Sequence, residues 1–135
     1  MNAIQNPLTL VGRILLALLF LPAGLAKITG FAGTVGYIAS QGVPAAELCA
    51  VIAIVAEVGG GLAMVAGFQT RWAALGLALF TLVITPIFHG FWSVPAAQVM
   101  LQQTMFFKNL AVIGGLLTLA AWGAGAWSID AKRGT

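Results

Sequence analysis

Four apolar runs dominate this chain, each close to the about 20 residues that a helix needs to cross the roughly 30 Å hydrocarbon core of a bilayer. They lie at residues 8–26, 47–68, 72–88 and 105–127. In 135 residues they leave room only for short connections. The expected architecture is therefore all-α: a single domain over residues 1–135, an integral membrane four-helix bundle in contact with the lipid bilayer. Composition bears on what else the chain excludes. Apolar residues make up 61% and charged residues 7%, against about 25% charged in a soluble domain. Such a chain is too apolar to be disordered, and its scattered net charge of +3 builds no basic face for nucleic acid.

No Lys or Arg precedes Arg13, so the first run reads as a retained span rather than a cleaved secretory signal. Sorted by side, Arg13, Arg71, Lys132 and Arg133 fall at the end that carries both termini, and Lys27 and Lys108 at the far end. This imbalance favours both termini in the cytoplasm. The far-side connections, Phe31 to Pro44 and Phe91 to Gln103, are apolar and hold Tyr37 and Trp92, which suits segments lying in the interface or re-entering the bundle. The four tryptophans, Trp72, Trp92, Trp122 and Trp127, fall near expected span ends, as interface belts require. Val43-Pro-Ala-Ala-Glu47 recurs as Val94-Pro-Ala-Ala-Gln98, an offset of 51 that also sets Glu57 against Lys108. A two-plus-two repeat of helix hairpins accounts for this, as does chance in an alanine-rich chain.

Charges inside such spans carry the most information. An ionised side chain at the middle of a membrane helix costs about 2.5–3.5 kcal/mol unless it faces protein or water. Glu57 is so placed, on a face with Ala50, Ala53, Gly60, Gly61 and Met64 that admits a close helix contact. In the first span, Arg13 shares a stripe with Ala17, Phe20, Gly24 and Lys27. Arg13 either pairs with Glu57, fixing helix register without chemistry, or reaches the near interface. Lys27 lies at the far interface, where anchoring accounts for it. Lys108 and Asn109 sit about one turn inside the far end of the fourth run, and His89 closes the third at the same level, with Gln102 and Gln103 nearby. An excess of positive and polar groups there, beside apolar walls, suits an anion or the two carbonyl oxygens of a quinone. Cys49 and His89 are the only residues of their kinds. No metal or haem is expected from one chain, and Cys49 reads as a buried, inert thiol.

Several segments together resemble the DoxX family of small four-helix bacterial membrane proteins. They are Gly12-Arg13, Gly24-Leu-Ala-Lys27, Gly42-Val-Pro44, Glu57-Val-Gly-Gly60, Gly67 with the short turn to Arg71, Lys108-Asn109, Gly114-Gly115, and Gly123-Ala-Gly125-Ala-Trp-Ser128-Ile-Asp130. The resemblance implies a multi-pass protein of the bacterial inner membrane and a quinone- or quinol-linked oxidoreductase subunit acting with partner redox enzymes. It carries the family's polar positions onto Arg13, Lys27, Glu57, Lys108 and Asn109. On this reading Lys108, Asn109 and His89 hold the quinone, with Lys27 and Arg13 contributing to the site, and Glu57 relays or balances protons as the catalytic group. A non-enzymatic scaffold that recruits redox enzymes is the alternative. A small transporter, which would need a homo-oligomer to enclose a pathway, is the third.

Overall fold

The computed structural model describes residues 3–134. Four helices long and apolar enough to cross a membrane run antiparallel in succession. The first, α1, spans Gln5–Thr29 and stops at Gly30; α2, Phe31–Ser40, follows on the far side. The second crossing consists of α3, Ala46–Ile54, a π turn at Val55–Gly59 and α4, Gly60–Ala66. After a tight turn α5, Thr70–Phe88, crosses again, and a single 3-10 turn, Phe91–Ser93, leads to α6, Ala96–Trp122. A short α7, Ile129–Arg133, ends the described chain. With an even number of crossings, the N- and C-terminal segments share one end of the bundle.

The stripe expected on α1 is the one the bundle buries: Arg13, Ala17, Phe20 and Gly24 are all inside. On the second crossing Ala50, Ala53, Glu57, Gly61 and Met64 are buried, while Gly60 is partly covered. Small residues bring these two backbones together. A β-carbon at Gly24 would stand 2.7 Å from Val58 Cγ2 and 3.0 Å from Glu57 Cβ. Gly24→Ala should therefore lower stability by about 1–3 kcal/mol, the usual cost of overpacking. Thermal unfolding in detergent micelles measures this, and an unchanged midpoint would show that the two helices are not packed this tightly. The main core lies below, where Ala17 and Phe20 meet Met64, Leu77, Leu116 and Leu119.

Two boundaries differ from the sequence expectation. The fourth helix begins at Ala96, directly after Pro95, rather than near Met105. At 1.5 Å per residue its 27 residues reach about 40 Å. That exceeds the roughly 30 Å hydrocarbon core, so a helix of this length has room for a polar first stretch with Gln98, Gln102 and Gln103. The same helix ends at Trp122, not Trp127, because Gly123 turns to φ +85°. The apolar residues up to Trp127 belong to a non-helical strap across the end of the bundle, and apolarity alone does not distinguish the two. The far-side connections are ordered elements: α2 in the first, and in the second a 3-10 turn that runs into α6. Both Val-Pro-Ala-Ala fragments sit at the start of a returning crossing, before or at Ala46 and Ala96. The match does not extend to the charges, since Glu57 is buried and Lys108 is exposed.

Candidate functional site: a far-side cavity

The polar residues expected in one cluster separate into three places. Arg13 is fully buried, at 0% exposure, near the termini end. It does not pair with Glu57. Its guanidinium donates to the carbonyls of Met64 (3.1 Å) and Val65 (3.4 Å) at the end of α4, and to that of Trp127 in the strap. Carbonyls in a helix's last turn have no intrahelical donor; the Gly67 and Phe68 amides serve Met64 and Ala63, and Arg13 adds a side-chain cap from another helix that also ties the strap to α4. Gly67, at φ +66°, makes the approach possible: a β-carbon there would collide with Arg13 Nη1 and Ser128 Cβ.

The same end repeats this logic with residues the sequence reading did not select as site candidates. Asp130 accepts hydrogen bonds from the amides of Gln69 (2.7 Å) and Thr70 (2.9 Å), capping α5. Arg71 donates to the carbonyls of Ala120 (3.0 Å) and Ala121 (2.8 Å), capping α6. Burial acts most strongly on the Asp130 carboxyl and raises its pKa, but hydrogen bonds from Thr70 and Gln69 and the charge of Arg13 together outweigh it and leave it below the ordinary value. The stability this carboxylate contributes is thus fully present above its unfolded pKa of about 4 and is lost as pH falls through the lower folded value. Acid titration of the melting temperature should show a fall below about pH 4 that is shallower in Asp130→Asn. Parallel curves would contradict the capping role.

Lys108 and Asn109 face apart, as neighbours about 100° apart on a helix must. Asn109 is buried and donates from Nδ2 to Thr85 Oγ1 at 3.0 Å between α6 and α5. Lys108 is exposed, its Nζ 3.5 Å from Met105 Sδ one turn toward the far interface. The expected Lys108, Asn109 and His89 cluster is therefore not formed. His89 instead holds Gln102 of α6, Nδ1 to Oε1, at 2.8 Å.

The third place is a cavity of about 430 Å³ in the far half, between the second crossing and α5 and roofed by α2. Lys27, Glu57 and His89 all line it. Lys27 is the cation that meets Glu57, with Nζ 2.9 Å from Oε2 and 3.2 Å from Oε1. Glu57 is 5% exposed, and its Oε2 has the ion pair but no hydrogen bond of good geometry. The π turn centred on Glu57 is a rare geometry that recurs at functional sites. The remaining walls are mainly apolar: Ile38, Ile52, Ala53, Val83, Ile84 and Ile87. Tyr37 of α2 stacks on Phe88 with ring centroids 5.4 Å apart, closing the roof onto α5. Ile52 and Val83 are each 53% exposed, so the cavity opens sideways toward lipid between their helices. Cys49 also lines it and is partly exposed, not fully buried, with Sγ 3.6 Å from the Pro44 carbonyl oxygen. Tyr37 and Cys49 sit in segments whose period and composition signal only interface or span, so nothing in the sequence marked them as cavity residues.

Comparison with known proteins gives concordant results. The family described as DoxX matches over residues 8–90, a stretch that holds every residue lining the cavity. Inner membrane protein YqjF of Escherichia coli strain K12 is 45% identical over 130 residues, 96% of this chain and 95% of that protein. Inner membrane protein YphA of the same strain is 39% identical over 131 residues, 97% of this chain and 94% of that protein. A Surfeit locus protein 4 homolog of Schizosaccharomyces pombe is 36% identical over 72 residues, 52% of this chain and 24% of that protein. No solved structure matches.

Proposed function

This chain belongs to the DoxX family and is an integral inner-membrane protein, and on that footing we propose that its far-side cavity receives the headgroup of a lipid-soluble quinone or quinol within a membrane redox complex. One observation supports this above the others. A buried ion pair with an incompletely satisfied carboxylate oxygen stands in a mainly apolar cavity that opens to lipid. Ligand pockets of this kind, about 300–1,000 Å³ with a few placed polar groups, bind and orient flat amphiphiles. The residues fit such a headgroup. The Lys27 ammonium has three donors, of which Glu57 takes part, so it can also hold a carbonyl oxygen. Glu57 Oε2 offers an acceptor to a hydroxyl. His89, oriented by Gln102, supplies a second polar anchor near the roof. Ile38, Ile52, Ile84 and Ile87 exclude water and contact the ring faces.

A bound quinone would supply the carriage of electrons and protons that the chain's own residues do not provide. With one cysteine and one histidine in the sequence, electrons would pass to or from partner subunits. Glu57 and Lys27, close enough to share a proton, would balance charge at the headgroup. The sites assigned from sequence are thereby revised: Lys27, Glu57 and His89 serve the ligand, while Arg13, Lys108 and Asn109 stand outside the cavity.

Purification in mild detergent, followed by mass spectrometry of extracted small molecules, tests this reading. Wild-type protein should retain quinone, and Glu57→Gln should reduce retention about tenfold, the equivalent of one charge-assisted hydrogen bond. Lys108→Ala should retain it, because that side chain points outward. Absence of quinone from the wild type would remove the proposal. Stable capture of redox enzymes that is indifferent to Glu57 would favour the scaffold reading instead.

A further inference from the structure

At the opposite end, a second pocket of about 300 Å³ lies where α5 begins and α6 ends, outside the helix contacts that form the core. Its walls hold an excess of hydrogen-bond donors. Arg71 uses Nη1 for the carbonyls of Ala120 and Ala121, which fixes the guanidinium plane, while Nε and Nη2 make no hydrogen bond among the described residues. Ala124 and Gly125 also line the pocket, and their backbone amides have no acceptor among the described residues, although Ala124 is only 6% exposed. A buried amide without a partner is rare, because it loses water without compensation. Asp130 on the opposite wall accepts hydrogen bonds from the amides of Gln69 and Thr70. Lys132 and Arg133 on α7 add positive charge at this end. The rim is formed by Trp72 and Trp122, exposed by 72% and 84%. Tryptophans so exposed at span ends belong at the level of lipid headgroups.

We propose that this pocket binds the phosphate of an anionic phospholipid from the surrounding leaflet, held by Arg71 and by the amides of Ala124 and Gly125, with the two indoles against its glycerol and upper acyl chains. A planar guanidinium already fixed by two carbonyls loses little entropy on taking a phosphate oxygen pair. The open rim between two indoles selects a phosphate that arrives with a lipid body over one free in water.

Native mass spectrometry of the whole chain in detergent, with phosphatidylglycerol added, provides the test. One phosphatidylglycerol should bind per chain and survive partial removal of detergent, and occupancy should fall about tenfold in Arg71→Lys, which keeps the charge but lacks the planar fork. The double variant Lys132→Gln/Arg133→Gln should keep it, since those side chains supply only a diffuse field. Equal occupancy in Arg71→Lys, or no bound lipid in the wild type, overturns the proposal. Should Arg71→Lys fail to fold, wild-type melting decides. A stabilisation that saturates near one phosphatidylglycerol per chain supports the site, and the same stabilisation from inorganic phosphate, or none from either, refutes it.

Discussion

Arg13→Ala is expected to cost about 3–5 kcal/mol, from losing a charged donor's hydrogen bonds to three carbonyls and from the cavity left by a fully buried side chain. The guanidinium is fully buried and donates to Met64, Val65 and Trp127. Its loss removes the side-chain donor to these three carbonyls, leaving only the backbone cap from Gly67 and Phe68 at the end of α4, opens a cavity and releases the strap that leads to Ser128 and Asp130. Arg13→Lys should not restore stability, because a single ammonium does not span three carbonyls in the geometry of a planar fork. Gly67→Ala should act in the same direction from the other side of the contact, adding a methyl group where Arg13 Nη1 and Ser128 Cβ already meet the backbone. Thermal or denaturant unfolding in micelles measures all three. A midpoint for Arg13→Ala within the error of wild type would show that this network is not what closes the termini end.

The second large effect is an asymmetry within the Lys27 and Glu57 pair. Glu57 is almost wholly buried, with its side chain 7% exposed, whereas that of Lys27 is 29% exposed. Removing the lysine strands a carboxylate inside the bundle, and Lys27→Ala is expected to cost about 3 kcal/mol or more. Removing the acid leaves an ammonium near the far interface, where its long stem can carry it to water, so Glu57→Gln should cost distinctly less. The double variant Lys27→Met/Glu57→Leu should recover most of the loss, since apolar replacement of a buried pair is often neutral. Equal costs for the two single variants would contradict the depth difference.

The faces of the helices were legible in the sequence, and their heights were not. The three- and four-residue spacing of Arg13, Ala17, Phe20, Gly24 and Lys27 correctly identified the buried side of α1, and the same holds for Ala50, Ala53 and Glu57. Both cations on that stripe were open to Glu57. The choice depends on how far one crossing slides past the other, which is set by close packing of Gly24 on Val58 and of Leu21 on Gly61. That register leaves about two turns of α3 beyond the end of α1, the space that α2 roofs and the cavity occupies. No one-dimensional pattern carries such an offset. Lys108 and Asn109 differ for another reason: they are adjacent in sequence, and helix geometry directs adjacent residues to different faces. Asp130 was in principle findable. It is one of three acids in the chain and follows a glycine-rich break, but its cap acts on Gln69 and Thr70, across the fold, where sequence spacing is silent.

Photoaffinity labelling tests the assignment of the cavity most directly. The full chain in native membranes would be treated with a quinone bearing a photoreactive group on its ring, and the labelled peptides mapped. The cavity account predicts labels on α2, on the second crossing around Cys49 to Glu57 and on α5 around Phe80 to His89, with labelling suppressed by excess unmodified quinone and in Glu57→Gln. Labels on the exposed face of α6 around Lys108, or a uniform pattern that excess quinone leaves unchanged, would contradict it.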